Sequence, residues 1–344
     1  MLAFPLLQGS IWGMSAQMAL KQPTQRGNAM TRTIKRRSVL ETLAAAGASL
    51  ALPALVRAQD SLDTLKIIVG YPPPPPPPNT IRTTNLDMSG QSGWEVRNVM
   101  FNGCRINAAN SSGGKVINCI FNDCPSAGMD GSAVNLNGAT NLLIANCDFN
   151  RCSGNVVAQY QWDNVTVDGC HFIDCAQCVS MAQSNSTSIG RNIKFIRCVF
   201  LRATVAGIES TGDGDGIEGY LSNYVVDSCW FADFGPNQVG AVGPISCVCR
   251  RQVGSKWTNN YFRLGPYKGW YLMAIEESVT LGNGPEISGN LFDGPWSDAI
   301  LQWDSMSNIH DNKYWQCNPP GNSRNETVLT SAPAEPPWPT RIAY

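Results

Sequence analysis

The chain has 344 residues, 43% of them hydrophobic, enough to bury a substantial core in one large domain or two ordinary ones. Only 15% of residues are charged and the net charge is −1, so no global field draws the protein onto nucleic acid or an anionic membrane surface. Abundant glycine and few strong helix formers beyond residue 90 favour strands and turns over helices.

Residues 1–29 precede Met30 and read as an upstream extension with no fold of their own. Next come Lys35-Arg36-Arg37-Ser38-Val39-Leu40, an apolar run from Leu43 to Leu55, and Val56-Arg57-Ala58. Residues 30–58 therefore resemble a bacterial twin-arginine-type signal peptide cleaved after Ala58, which implies export to the periplasm or beyond. The apolar run is too short for a bilayer-spanning helix, which takes about 20 residues, so no transmembrane helix is expected in the mature protein. Residues 59–90 read as a linker. Within it, Leu65-Lys66-Ile67-Ile68-Val69-Gly70-Tyr71-Pro72 resembles the first strand of the periplasmic receptors of tripartite tricarboxylate transporters. Where that family places a ligand-contacting turn, this chain has Pro72 to Pro78, a stiff polyproline II spacer, so the family's carboxylate binding does not carry over.

From residue 91 a repeat takes over: a short apolar strand, then Asn or Cys, one residue, an aromatic, and often Cys three residues later. Clear copies are Val116-Ile117-Asn118-Cys119-Ile120-Phe121-Asn122-Asp123-Cys124 and Leu143-Ile144-Ala145-Asn146-Cys147-Asp148-Phe149-Asn150-Arg151-Cys152. Aligned on the aromatic, the series runs Phe101, Phe121, Phe149, Phe172, Phe200, Phe231, Phe262, Phe292 and Tyr314, with gaps of 20 to 31 residues. Such gaps suit one coil of three short strands, with turns absorbing the insertions. The expectation is an all-β, single-stranded parallel β-helix of about nine coils over residues 91–318, followed by a Pro-rich tail over 319–344. The aromatics should stack as one interior ladder. Cys119, Cys147, Cys170, Cys198 and Cys229, continued by Asn260, Asn290 and Asn312, should form a second. In this pattern the chain resembles the pectin-lyase-like superfamily, which implies a right-handed solenoid and leaves the chemistry open.

Of the 13 cysteines, ten fall at the two repeat offsets and read as small buried hydrophobes. Cys247-Val248-Cys249 is too tight for a zinc knuckle. Only two histidines exist: His171 lies between ladder residues and should point outward, and His310 should sit in a late turn. No His-based triad or multi-His metal site is expected.

Chemistry is expected on the three longest coils, beginning at Phe200, Phe231 and Phe262, where long turns lie side by side. Asp213 and Asp215 stand at +13 and +15 from Phe200, and Glu276 and Glu277 at +14 and +15 from Phe262. Two coils span about 9.6 Å, near the roughly 6.5–9.5 Å between acid and base in inverting glycosidases. Gly214-Asp215-Gly216-Ile217-Glu218 resembles a polygalacturonase segment and implies roles for Asp215 and Glu218, but that family's later paired aspartates, G-H-G and R-I-K are absent, as is a pectate-lyase-type arginine motif. The candidate catalytic set is Asp213, Asp215, Glu218 and Glu277. Arg250, Arg251, Trp270 and Trp303 are candidate substrate contacts: the arginines suit a uronate and the tryptophans suit sugar rings. No cofactor is implied, although a calcium-binding turn would contain the same glycine-flanked acids. The functional expectation is an exported protein that binds or cleaves a polysaccharide or cell-surface glycan, as hydrolase or lyase. A non-enzymatic surface or adhesive β-helix and a phage tailspike-like depolymerase are the alternatives, and the oligomeric state stays open.

Overall fold

Every coil bends at the same place for the same reason. Just before each ladder residue stands one in the left-handed region: Asn118, Asn146, Gly169, Arg197, Ser228, Asn259, Gly289 and Asp311 all have φ between 51° and 67°. Asn and Gly take this conformation at least cost, so the chain turns sharply between one strand and the next without an insertion. The computed structural model describes residues 78–125, 132–153, 155–157, 162–183, 189–204, 206–212, 220–233, 245–250, 252–263, 273–276, 284–295, 299–302 and 307–344. These are strand and turn, with no helix among them. None is therefore part of a helix long and apolar enough to cross a membrane.

Among the described residues the strands form three parallel sheets of 11, 9 and 12 strands, in which each strand pairs with its counterpart one coil away. One coil reads Asp163–Asp168 in the third sheet, His171–Ile173 in the first and Gln177–Gln183 in the second. Phe121, Phe149, Phe172, Phe200, Phe231, Phe262, Phe292 and Tyr314 pair in unbroken register in the first sheet. Their rings stack nearly parallel, with centroids from 4.7 Å at Phe149 and Phe172 to 5.1 Å at Phe292 and Tyr314. Phe195 and Trp257, from the third sheet, and Tyr224, just before its strand Val225–Asp227, add edge-on ring contacts inside the solenoid. The stack extends beyond residues 91–318: Thr80–Arg82 pairs with Val99–Asn102, and Thr327–Val328 pairs with Lys313–Trp315.

The second ladder is also present. Eleven cysteines are described, all buried and free of disulfides, including the five of this ladder. The backbone N–H of Cys147 meets the Sγ of Cys170 at 3.4 Å, and that of Cys198 meets the Sγ of Cys229 at 3.4 Å. Further along, amides replace thiols. The N–H groups of Cys229, Asn260 and Asn290 donate to the Oδ1 of Asn260, Asn290 and Asn312, each at 2.9 Å. Asn312 closes the series by donating from its N–H to Glu326 Oε2 at 2.9 Å and from Nδ2 to Oε1 at 3.3 Å. His310 differs from expectation: it ends the strand Asn308–His310, because its backbone continues the third sheet instead of turning.

Two outcomes follow from these ladders. Asn290→Ala leaves the buried N–H of Asn260 without its acceptor and should lower unfolding stability by about 2–3 kcal/mol, whereas Asn290→Cys restores a weak acceptor and should lose less; chemical denaturation of the three proteins measures both. The eleven described thiols should resist a thiol reagent in the native protein and react together on denaturation. Cys317, whose thiol burial pushes up to about 12, should be as inert as the rest.

Candidate functional site

The second sheet widens at the long coils, through the strands Gln177–Gln183, Ala206–Gly212, Ile245–Arg250 and Met273–Glu276. The last three are consecutive neighbours, with Ser210 level with Cys249 and Arg250 level with Glu276. Their C-terminal ends share one edge, and the chain leaves that edge into the segments that begin with Asp213, Arg251 and Glu277. Asp213, Asp215, Glu218, Arg251, Glu277, Trp270 and Trp303 themselves lie outside the described residues. Of the sequence-predicted contacts only Arg250 is described, as the last residue of its strand beside Glu276.

A second feature of the outer surface went unforeseen. In the first sheet, residues on either side of the aromatic rung point out of the solenoid, and several of them are apolar yet buried: Val199, Leu201, Trp230, Ala232 and Tyr261. Their cover is the C-terminal segment, which forms no strand and runs from Glu335 to Tyr344 back across the coils as a strap. Its first anchor is an ion pair between Glu335 and Arg263 at 2.7 Å. Trp338, 6% exposed, then lies between Trp230, with ring centroids 5.8 Å apart, and His171, edge-on at 5.3 Å. Arg341 reaches the Asp148 carboxylate and donates through Nε to the Gly169 carbonyl at 2.9 Å. Beyond it, Asn146 Nδ2 donates to the Ile342 carbonyl at 2.7 Å, the Tyr344 hydroxyl bonds Asp168, and Arg97 donates to the Tyr344 carbonyl at 3.0 Å. Gly169 is needed here. Its φ is +60°, and a Cβ would stand 2.6 Å from Asn146 Oδ1 and 3.3 Å from the Arg341 Cγ.

The strap closes over a buried ionisable cluster. His171 points outward as its place between Cys170 and Phe172 requires, but the strap leaves its side chain only 7% exposed, beside Asp148 at 3.3 Å from Nδ1. Burial pushes His171 below the usual imidazole range; the hydrogen bond to Asp148 opposes this, and the Arg341 charge adds to it. Burial tends to raise Asp148, but the His171 hydrogen bond and the charge of Arg341 outweigh it and hold the carboxyl below its ordinary value. Next to this pair, Asp168 accepts from Arg197, whose Nε has no hydrogen-bond partner among the described residues.

Between the strap and the corner of the long coils lies a cavity of about 470 Å³, walled by Arg197, Asp227, Asn259, Trp230 and Tyr261 and by the strap prolines Pro336, Pro337 and Pro339. Asp227 Oδ1 accepts from Thr258 at 2.5 Å and from Asn259 at 2.9 Å, and Oδ2 accepts from Ser228 at 3.0 Å. Its partners there are thus neutral donors on two successive coils. Among the described residues no cluster of three or more His, Cys, Asp or Glu could hold a metal ion.

The family model described as "Right handed beta helix region" matches residues 81–231. No curated protein matches the chain. Among solved structures, a surface protein and adhesin of Streptococcus pneumoniae, PfbA, is similar over 77% of this chain and 82% of its own, at 12% identity and a TM-score of 0.40. An ORF18 protein of Geobacillus virus E2 is similar over 72% of this chain and 52% of its own, at 10% identity and a TM-score of 0.34. A mannuronic acid specific polysaccharide family 6 lyase from human gut microbiota is similar over 79% and 82%, at 9% identity and a TM-score of 0.28. With three parallel sheets, two interior ladders and that family match, the protein is an all-β, right-handed parallel β-helix protein.

Proposed function

We propose that this is an exported protein that binds or cleaves a polysaccharide on the outer face of its long central coils. The observation that carries the reading is the cavity at their corner, with a polar wall of Arg197, Asp227 and Asn259 and an apolar wall of Trp230 and Tyr261. Saccharides present hydroxyls that both donate and accept, together with apolar C–H faces, and a site of this mixed lining satisfies both. The Arg197 guanidinium, part of that polar wall, is suited to the carboxylate of an acidic sugar. Cleavage is assigned to the widened edge of the second sheet, from which the chain enters the segments carrying Asp213, Asp215, Glu218 and Glu277. Crowding among converging carboxylates raises one pKa and leaves another ionised, which supplies an acid and a base.

A purely structural or adhesive role is the second reading. It is favoured by the way described charges pair along the turns: Arg151 with Asp123, Arg202 with Asp174 and Arg263 with Asp233. Those pairs tie one coil to the next and leave no group there for chemistry.

Affinity electrophoresis of the purified protein in gels containing acidic or neutral polysaccharides separates these readings, combined with assays for reducing ends and for unsaturated sugars. Retardation by an acidic glycan is expected, and no retardation by any member of the panel would remove the reading. Asp227→Asn should weaken binding about tenfold, the ~1.4 kcal/mol scale of one charged hydrogen bond. Asp215→Asn, which keeps the side chain's shape and removes only its charge, should abolish cleavage while changing stability by less than about 1 kcal/mol. If glycan binds but neither product signal appears in the parent protein, the protein is a binding module.

A further inference from the structure

We propose that Glu335–Tyr344 is an acid-released strap: protonation of His171 undocks it from the outer corner of the solenoid and opens the groove it roofs. That the opened groove then takes glycan rests on the function proposed above; the release does not.

The strap differs from the rest of the chain in how it is held. The body is bound coil to coil by continuous ladders, whereas residues 332–344 form no strand and depend on separate side-chain anchors. Such a segment opens locally without unfolding the solenoid. Its central anchors, Trp338 and Arg341, both contact the same small cluster, so a change there acts on the whole strap.

The member of that cluster that changes charge nearest neutral pH is His171. With Nδ1–H donating to Asp148, the neutral His171 leaves Nε2 as a bare acceptor, and Nε2 is buried with no hydrogen-bond partner among the described residues. Protonation would place a second N–H there with nothing to receive it. The groups facing the ring are Asp148 from the coil on one side, Val199 from the coil on the other, and Trp338 and Arg341 from the strap. Only Asp148 carries a compensating charge, and Arg341 already holds it. The pair of Asp168 and Arg197, joined by Tyr344, sits alongside. An imidazolium therefore meets Arg341 as a like charge in a buried site, and removing the strap relieves both faults: Nε2 gains water, and Asp148 exchanges Arg341 for the His171 cation.

The direction in pH follows from burial. His171 holds its proton less well docked than free, so the docked strap binds fewer protons and is favoured as pH rises. As pH falls through the ordinary imidazole value of about 6.5, docking weakens by up to about tenfold per pH unit for the single proton. Asp148, held below its ordinary range while docked, extends the same trend to lower pH.

Hydroxyl-radical footprinting of the full-length protein at about pH 7.5 and about pH 5 tests this, with modification read at single tryptophans by mass spectrometry. Modification of Trp338 and Trp230 should rise at least about fivefold at the lower pH, as a one-proton step permits, while Trp257, enclosed in the core, stays unmodified. His171→Asn should abolish the rise with the strap still docked. His171→Phe, which keeps a ring against Trp338, serves the same purpose if the Asn variant is undocked at both pH values. Arg341→Ala should expose Trp338 at neutral pH. The proposal is overturned by unchanged Trp338 modification across the range, by a rise that persists in both non-titrating variants, or by parallel modification of Trp257, which would mean that the body loosens. Glycan affinity measured in parallel separates the two readings. Release without a gain in binding leaves the strap standing and removes the groove as a glycan site.

Discussion

The hydrogen-bonded spacing of parallel strands, about 4.8 Å, governs this molecule, because it places every residue directly over its counterpart in the next coil. Whatever stands at one offset must tolerate a copy of itself at that distance. Flat rings tolerate it well, and the Phe101 to Tyr314 series stacks face to face at close to the strand spacing. Ionised side chains do not. Where the chain turns after the aromatic rung, the residues two beyond the rings of Phe121 to Phe231 are Asp123, Arg151, Asp174, Arg202 and Asp233, alternating in sign. Arg151 grips Asp123 through both nitrogens at 2.9 Å, and Arg202 grips Asp174 at 2.6 and 2.7 Å. Exposed pairs of this kind add at most about 1 kcal/mol each. Their larger effect is to avoid the repulsion that a column of one sign would build.

The cysteine and asparagine rungs are two answers to one requirement of the turn. The backbone N–H at each rung points along the solenoid axis and needs an acceptor from the next coil. A thiol fills the space and accepts weakly; an amide accepts well and donates in turn to the carbonyls of Val226, Trp257 and Ile287. Once the ladder becomes amide, each rung is satisfied only if the next is polar too. The series therefore ends on Glu326, whose carboxyl burial pushes upward even as it caps Asn312.

This copying rule explains which parts of the fold were legible in the sequence. The ladders were readable because insertions of variable length fall in turns and leave the offsets intact. The start of the solenoid was not. Arg82 occupies the rung beside Phe101, so the first strand lacks the aromatic that marks its neighbours. His171 was readable as outward-facing, but nothing in the repeat says that an outward residue is covered. The signal lay instead in the lost alternation of Val199-Phe200-Leu201 and Trp230-Phe231-Ala232, which are apolar on both faces and so need cover on both. Trp338 and Arg341 in an otherwise Pro-rich tail were its complement. The candidate catalytic residues stand between the repeat motifs, where no periodicity constrains residue type, and only the strands leading into those segments fix their neighbourhood.

The two outer features differ in how freely sequence change can alter them. The edge of the second sheet lies where coils lengthen, so loops there vary without disturbing any ladder, and a reactive group can be added or lost at little cost to stability. The corner between the third and first sheets has no such freedom. Its left-handed residue and its rung follow each other directly in every coil, and an insertion would break both ladders at once. Surface chemistry at that corner therefore repeats along the axis, which suits an extended partner that also repeats. The strap is such a partner: an extended chain that steps back along the axis from Arg263 to Trp230, then to His171 and Asp168 on one coil and Asp148 on the next. Since the corner cannot be reshaped, what can change is whether the strap lies on it. Placing the only described buried histidine beneath the strap gives that choice a dependence on pH that the rigid coils do not have.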